Sequence, residues 1–140
     1  MVLALVLGLA ARVAAKGPTT RLVISGPGLP HLIETTEPKV LANVWGGSFI
    51  AEPSPEPDLA LPRYLVTFIV QPPRDAPRAM YVVTYVRDPQ SGNGFVYLPG
   101  RGEEGWAMNV RTILRDGQDG HWHHASTEWS DAVAAAIHLR

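Results

Sequence analysis

The sequence predicts an α+β domain, mainly β, in which a small antiparallel sheet packs against one C-terminal helix. Three observations carry this. Residues 63–71 (RYLVTFIVQ) and 79–87 (AMYVVTYVR) are dense in β-branched and aromatic side chains, the types that fit a pleated, half-buried surface. The connector between them, Pro-rich residues 72–77, is far too short for a parallel crossover, which needs a dozen or more residues. Antiparallel pairing follows. Third, Asp88-Pro89 opens a turn, Gly92-Asn93-Gly94 supplies positive-φ positions for a reversal, and residues 95–98 (FVYL) run back. The centre of the fold is therefore a three-stranded meander of 63–71, 79–87 and 95–98.

Alternation assigns faces within it. Tyr64, Val66, Phe68 and Val70 point one way, and Leu65, Thr67 and Ile69 the other. Tyr81, Val83 and Tyr85 oppose Met80, Val82, Thr84 and Val86. Neither face of either strand is polar, so both sides are expected to be hidden from water.

At 140 residues and 15.2 kDa the chain has room for one real core and not for two. The hydrophobic fraction of 46% excludes global disorder. Twelve Lys and Arg against 13 Asp and Glu leave a net charge of -1, with no basic stripe, so the electrostatic footprint of a nucleic-acid binder is missing. The lack of cysteine removes disulfides, thiolate metal sites and Cys nucleophiles. The composition reads like that of short exported proteins of GC-rich bacteria, which carries no activity with it.

The elements follow in order. Residues 2–11 (VLALVLGLAA) form an apolar run, followed by small residues Val13, Ala14 and Ala15. The run is too short to span a bilayer, which takes about 20 apolar residues. It matches the apolar region of a secretory signal with a cleavage site, although no Lys or Arg precedes it. Residues 1–15 are thus expected to be a leader and 16–140 the single globular domain, placing the protein in the cell envelope or outside; the competing reading is a cytoplasmic protein in which this run is a core helix.

Residues 21–25 and 31–35 form short strands about the breaker-rich GPGLP, a small N-terminal hairpin. Thr36-Glu37-Pro38 starts a short helix over 38–43. This hairpin and helix are expected to cover one face of the meander. Trp45 enters the core, and residues 52–62 (EPSPEPDLALP) make a stiff surface connector. Residues 101–105 (RGEEG) form a charged loop; residues 106–115 read equally as a strand entering a helical turn or as a short helix. Residues 121–125 (HWHHA) are expected to form an edge strand. Ser126 caps the terminal helix, 127–138, whose stripe of Trp129, Ala132, Val133, Ala136 and Ile137 would cover the other face.

Several residues are candidates for chemistry. On a strand His121 and His123 share a face, the spacing at which two imidazoles hold one zinc or copper ion; Asp119, His31, His138 or a carboxylate of the 101–105 loop would have to complete the site. Otherwise both histidines face solvent, with His124 beside Trp122 on the inner face. Residues 116–120 (DGQDG) lack the ligand spacing of a calcium loop and form a turn. Glu103 and Glu104 would be the acid and base of a small hydrolase only if burial separated their pKa values. The remaining reading keeps Tyr97, Arg101, Glu103 and Trp106 as the rim of a binding surface, since loops mixing an aromatic with charges suit recognition on a rigid scaffold. Trp45, Trp106, Trp122 and Trp129 are expected to be mostly buried. There is no phosphate loop and no Gly-x-Ser-x-Gly elbow. The leading expectation is an exported, non-enzymatic module, without a cofactor, that binds a protein or a surface polymer.

Overall fold

The computed structural model describes residues 17–41, 48–110 and 118–138. The expected leader, Trp45 and residues 111–117 lie outside them. Within the described residues seven strands form one antiparallel sheet: β1 (Thr19–Ser25), β2 (Ile33–Thr35), β3 (Ile50–Pro53), β4 (Arg63–Val70), β5 (Arg78–Arg87), β6 (Gly94–Tyr97) and β7 (Trp122–Ala125). Their order across the sheet is β2-β1-β4-β5-β6-β7-β3. Among the described residues three helices accompany it: α1 (Pro38–Leu41), α2 (Trp106–Val110) and α3 (Thr127–His138). The fold class is the expected one, α+β and mainly β.

The meander forms as the sequence requires. Val66 pairs with Val83 and Phe68 with Tyr81 across β4 and β5, and Tyr85 pairs with Val96 across β5 and β6. In the turn after β5, the Asp88 carboxylate accepts from the Gln90 N–H at 2.9 Å and the Ser91 hydroxyl at 2.8 Å. These bonds hold its pKa below the usual value. Gly92 takes the positive φ, 74°. Gly94, expected in the turn, is the first residue of β6 instead. It is glycine because a Cβ there would stand 1.9 Å from the Ser130 hydroxyl of α3.

Helix α3 covers one face of the sheet. Trp129, Val133 and Ile137 are buried against it, and Trp129 joins Phe49, Phe68 and Tyr85 in an aromatic cluster with centroid separations of 4.8, 6.3 and 5.6 Å. The Tyr85 hydroxyl meets the Ser130 hydroxyl at 2.8 Å, and Arg87 donates to Asp131 at 2.7 Å, fastening the helix. Burial pushes the Tyr85 phenol pKa up.

Four expectations are corrected. The N-terminal hairpin does not lie over the meander: β1 pairs with the free edge of β4 and widens the sheet, which satisfies a row of backbone groups that would otherwise be exposed. Helix α1 packs beside α3, with Val40 in the same core cluster, so both helices cover one face. Its entry is held by the Thr35 hydroxyl, which accepts from Glu37 N–H at 3.2 Å. Third, β7 is not an edge strand, because β3, not foreseen in the sequence, pairs beyond it.

The fourth concerns the opposite face, which is only partly covered. Val82 and Val86 are buried, but Leu65 in mid-strand is 47% exposed. Two pieces of chain lie on this side. Helix α2 packs on β5. Beyond the end of β6, the Asn109 amide substitutes for a strand: Val82 N–H donates to its Oδ1 at 2.8 Å, and its Nδ2 donates to Val82 C=O at 2.6 Å.

The second piece is the Pro-rich connector. Successive antiparallel pairings make β3 parallel to β4, so residues 54–62 must cross over β7, β6 and β5. That is about 19 Å at roughly 4.8 Å per strand, which nine residues span even with a turn at 58–61, where Leu61 N–H donates to Asp58 C=O at 3.1 Å. No crossover helix is needed. Ser54 N–H donates to Trp122 C=O at 3.0 Å, Pro57 is buried, and Glu56 reaches Arg63 at the start of β4 at 3.2 Å. The connector is a strap across the outer face.

Candidate functional site

The outer face carries a transverse row of side chains over four strands: Leu65 on β4 stands opposite Thr84 on β5, Thr84 opposite Tyr97 on β6, and Tyr97 opposite Trp122 on β7. Alternation places them together, since each strand contributes the residue in phase with its neighbours. The row floors an open cleft of about 590 Å³, also lined by Glu56, Arg63, Tyr64 and Gly120. The strap contributes Glu56 to its wall.

Inside the cleft the Tyr97 and Trp122 rings lie 5.2 Å apart at 41°. The Arg63 guanidinium sits over the Trp122 ring, 4.9 Å from its centroid, while its Nη2 contacts Glu56. Tyr97 O–H donates to Glu103 Oε1 at 2.7 Å. Its pKa is pushed up to about 12, first by desolvation, then by the bond to Glu103 and the negative charges of Glu103 and Glu56. Tyr97 is therefore a fixed donor at neutral pH.

The four residues expected to form a binding rim are brought together. Tyr97 bonds Glu103, and the Arg101 guanidinium lies over the Trp106 ring at 5.8 Å. The link between the two pairs is the short loop after β6, where Glu103 N–H donates to Gly100 C=O and Trp106 N–H to Glu103 C=O. Trp106 opens α2, which settles the start of 106–115 as helix. Its indole N–H donates to Asp119 at 3.1 Å, so Asp119 is a positioning carboxylate here. Sequence reasoning missed Trp122, Arg63, Glu56, Leu65 and Thr84. The alternation of 121–125 was the available signal, but its phase was undetermined. Of the described tryptophans Trp129 is buried, whereas Trp106 and Trp122 are half-buried, Trp122 in the lining of the cleft.

His123 departs from the solvent-facing expectation, and Trp122 and His124 from the inner-face one. His123 points to the helix side and is 2% exposed, and its neighbour Ala125 is buried there too. Trp122 and His124 are on the outer face, His124 against Phe95 at 5.2 Å. Ala125, opposite Ile50, must enter the core, and this fixes the phase of the strand. Burial lowers the His123 pKa and favours the neutral imidazole. His121 is exposed. Among the described residues no group of three or more His, Asp or Glu side chains stands close enough to hold a metal ion. Glu103 and Glu104 are both exposed.

The cleft brings together two tilted rings, the Arg63 guanidinium and the Glu56 carboxylate, with the Tyr97 O–H already donated to Glu103. Fold and site together define an α+β domain, one sheet with helices α1 and α3 on one face and a strap-walled cleft on the other. No family model matches the chain, and neither a curated protein nor a solved structure matches it.

Proposed function

We propose that the protein is a non-enzymatic binding module, exported from the cell, that engages a partner protein or a surface polymer through the outer-face cleft. The observation that carries this reading is the convergence of Tyr97, Trp122, Arg63 and Glu56, drawn from β6, β7, β4 and the strap, on one accessible cleft over the sheet, with Tyr97 held by Glu103. Rigid support with half-exposed aromatics and charges is how recognition surfaces combine affinity with orientation. Export is supported by the apolar run of residues 2–11 and the small residues after it.

The test is retention of cell-envelope material on immobilised protein. Wild type should retain a component that the Tyr97→Ala/Trp122→Ala double variant loses. Equal retention by both would remove the cleft from any binding role. The mass of the protein recovered from its native host should correspond to a start near Lys16; an intact N-terminus would end the export half of the proposal.

A further inference from the structure

A second concavity lies on the helix side, at the β2 end of the sheet. We infer that the free edge of β2 accepts an extended segment of a partner protein as an added strand, with a Lys or Arg side chain of that segment seated in the groove between β2, α1 and α3.

The first argument is the edge itself. β2 ends the sheet, and among the described residues no strand pairs with it on the side away from β1. Its outward backbone N–H and C=O groups are a template for another chain. The opposite edge is blunted, because β3 ends in Pro53, which has no N–H to offer. β2 (Ile33–Thr35) carries no proline, and Leu32 just before it is 63% exposed.

The second is the groove beside that edge. Helix α3 packs against both β2 and α1, and a groove of about 830 Å³ opens between the three. Ile33, Ala132, Ala135 and Ala136 give it an apolar lining, and the alanines are too small to fill it. Alternate side chains of a strand added to β2 would project toward the helix side, over this space. In such pairing the main chain supplies affinity and the pocket for alternate side chains supplies specificity.

The third is charge. Four carboxylates line the groove, those of Glu34, Glu37, Glu128 and Asp131, against the single cation of Lys39. Asp131 is held by Arg87 at 2.7 Å and Glu34 faces Arg21 at 3.9 Å. Glu37 and Glu128 have no ion pair among the described residues. A Lys or Arg side chain answers both parts of the groove, its aliphatic stem against the alanines and its charged head at the two carboxylates. A second copy of the chain does not, since a twofold pair centred on β2 would set Glu34 against Glu34.

The experiment is a nuclear magnetic resonance titration of the full chain with the acetylated peptide amide Thr-Lys-Val-Lys-Thr-Lys-Val, and in parallel with its counterpart carrying Glu in place of Lys. Expected with the Lys peptide is a saturable shift of the Ile33, Glu34 and Thr35 amides and of those of Ala135 and Ala136, with the Trp122 indole of the outer-face cleft unmoved. The Glu peptide should leave all of them in place. The double variant Glu37→Gln/Glu128→Gln, two changes at exposed positions, should weaken Lys-peptide binding about fivefold. Unchanged Val66 and Val83 amides in mid-sheet report that this variant is folded. Equal binding of both peptides, or binding undiminished in the double variant, would overturn the assignment of a basic partner. No shift at Ile33–Thr35, the result expected if another part of this chain fills the edge, would overturn the proposal, as would β2 shifts that follow protein concentration without peptide and so report a second copy. None of these outcomes touches the cleft, which is judged at Tyr97 and Trp122.

Discussion

The two faces of the sheet are made by the same strands and put to different uses. On the helix side, Phe68, Tyr85 and Val96 are fully buried under Trp129, Val133 and Ile137. On the outer side, at strand positions of the opposite phase, Leu65, Thr84, Tyr97 and Trp122 line an open cleft. Backbone alternation separates the two sets without any extra element. The dry face holds the strands in register; the wet face is then free to carry tilted rings and charges whose placement is fixed by a scaffold they do not stabilise much.

Truncation is the sharpest way to break this contrast. Phe68 lies 4.2 Å from Tyr81, 5.2 Å from Phe49 and 6.3 Å from Trp129, ring centroid to centroid. Phe68→Ala should cost about 3–5 kcal/mol in urea unfolding. Tyr97→Ala, the removal of an equally large ring from the other face, should cost no more than about 1 kcal/mol. Similar losses would mean that the cleft is part of the core.

A smaller effect is expected where the outer face is sealed by a side chain. Asn109→Ala leaves both backbone groups of Val82 without partners on that side, at a cost of about 1–3 kcal/mol. Hydrogen exchange should accelerate at the Val82 amide and stay unchanged at Val83. An unaffected Val82 amide would show that the Asn109 bridge is dispensable.

The smallest effect is electrostatic. Glu103→Gln removes the negative charge and leaves only a weaker amide acceptor, so the Tyr97 pKa should fall from about 12 toward the ordinary 10.0. The sign follows from linkage. Because the folded-state pKa lies above the unfolded value, this group's contribution to stability is fully present below pH 10 and is lost as pH rises through about 12. Ultraviolet titration of wild type against the variant measures the shift; coincident phenolate curves would contradict the Tyr97–Glu103 bond.

The meander and α3 were legible in the sequence because their signals are local: period-two runs, short connectors, and an apolar stripe behind a capping serine. The proximity of Tyr97, Arg101, Glu103 and Trp106 was legible for the same reason, since they come from a single short stretch. β3 was hidden by its own composition. Pro53 argues against a strand except at a sheet edge, which is where β3 lies. The phase of 121–125 was hidden because either choice buries a histidine or a half-polar pair. Only pairing of Ala125 with Ile50 and Val96 with His123 decides it. Trp122 was lost from the cleft by that ambiguity, and Glu56 and Arg63 by the strap, a crossing between distant strands that no local pattern announces.

Hydroxyl-radical footprinting read residue by residue puts the whole division to the test in one measurement. Tyr97 and Trp122 should be oxidised readily in the native protein, while Tyr85, Phe68 and Trp129 stay protected until it unfolds. Protection of Trp122 alongside rapid labelling of Trp129 or Phe68 would mean that the two faces have been assigned the wrong way round.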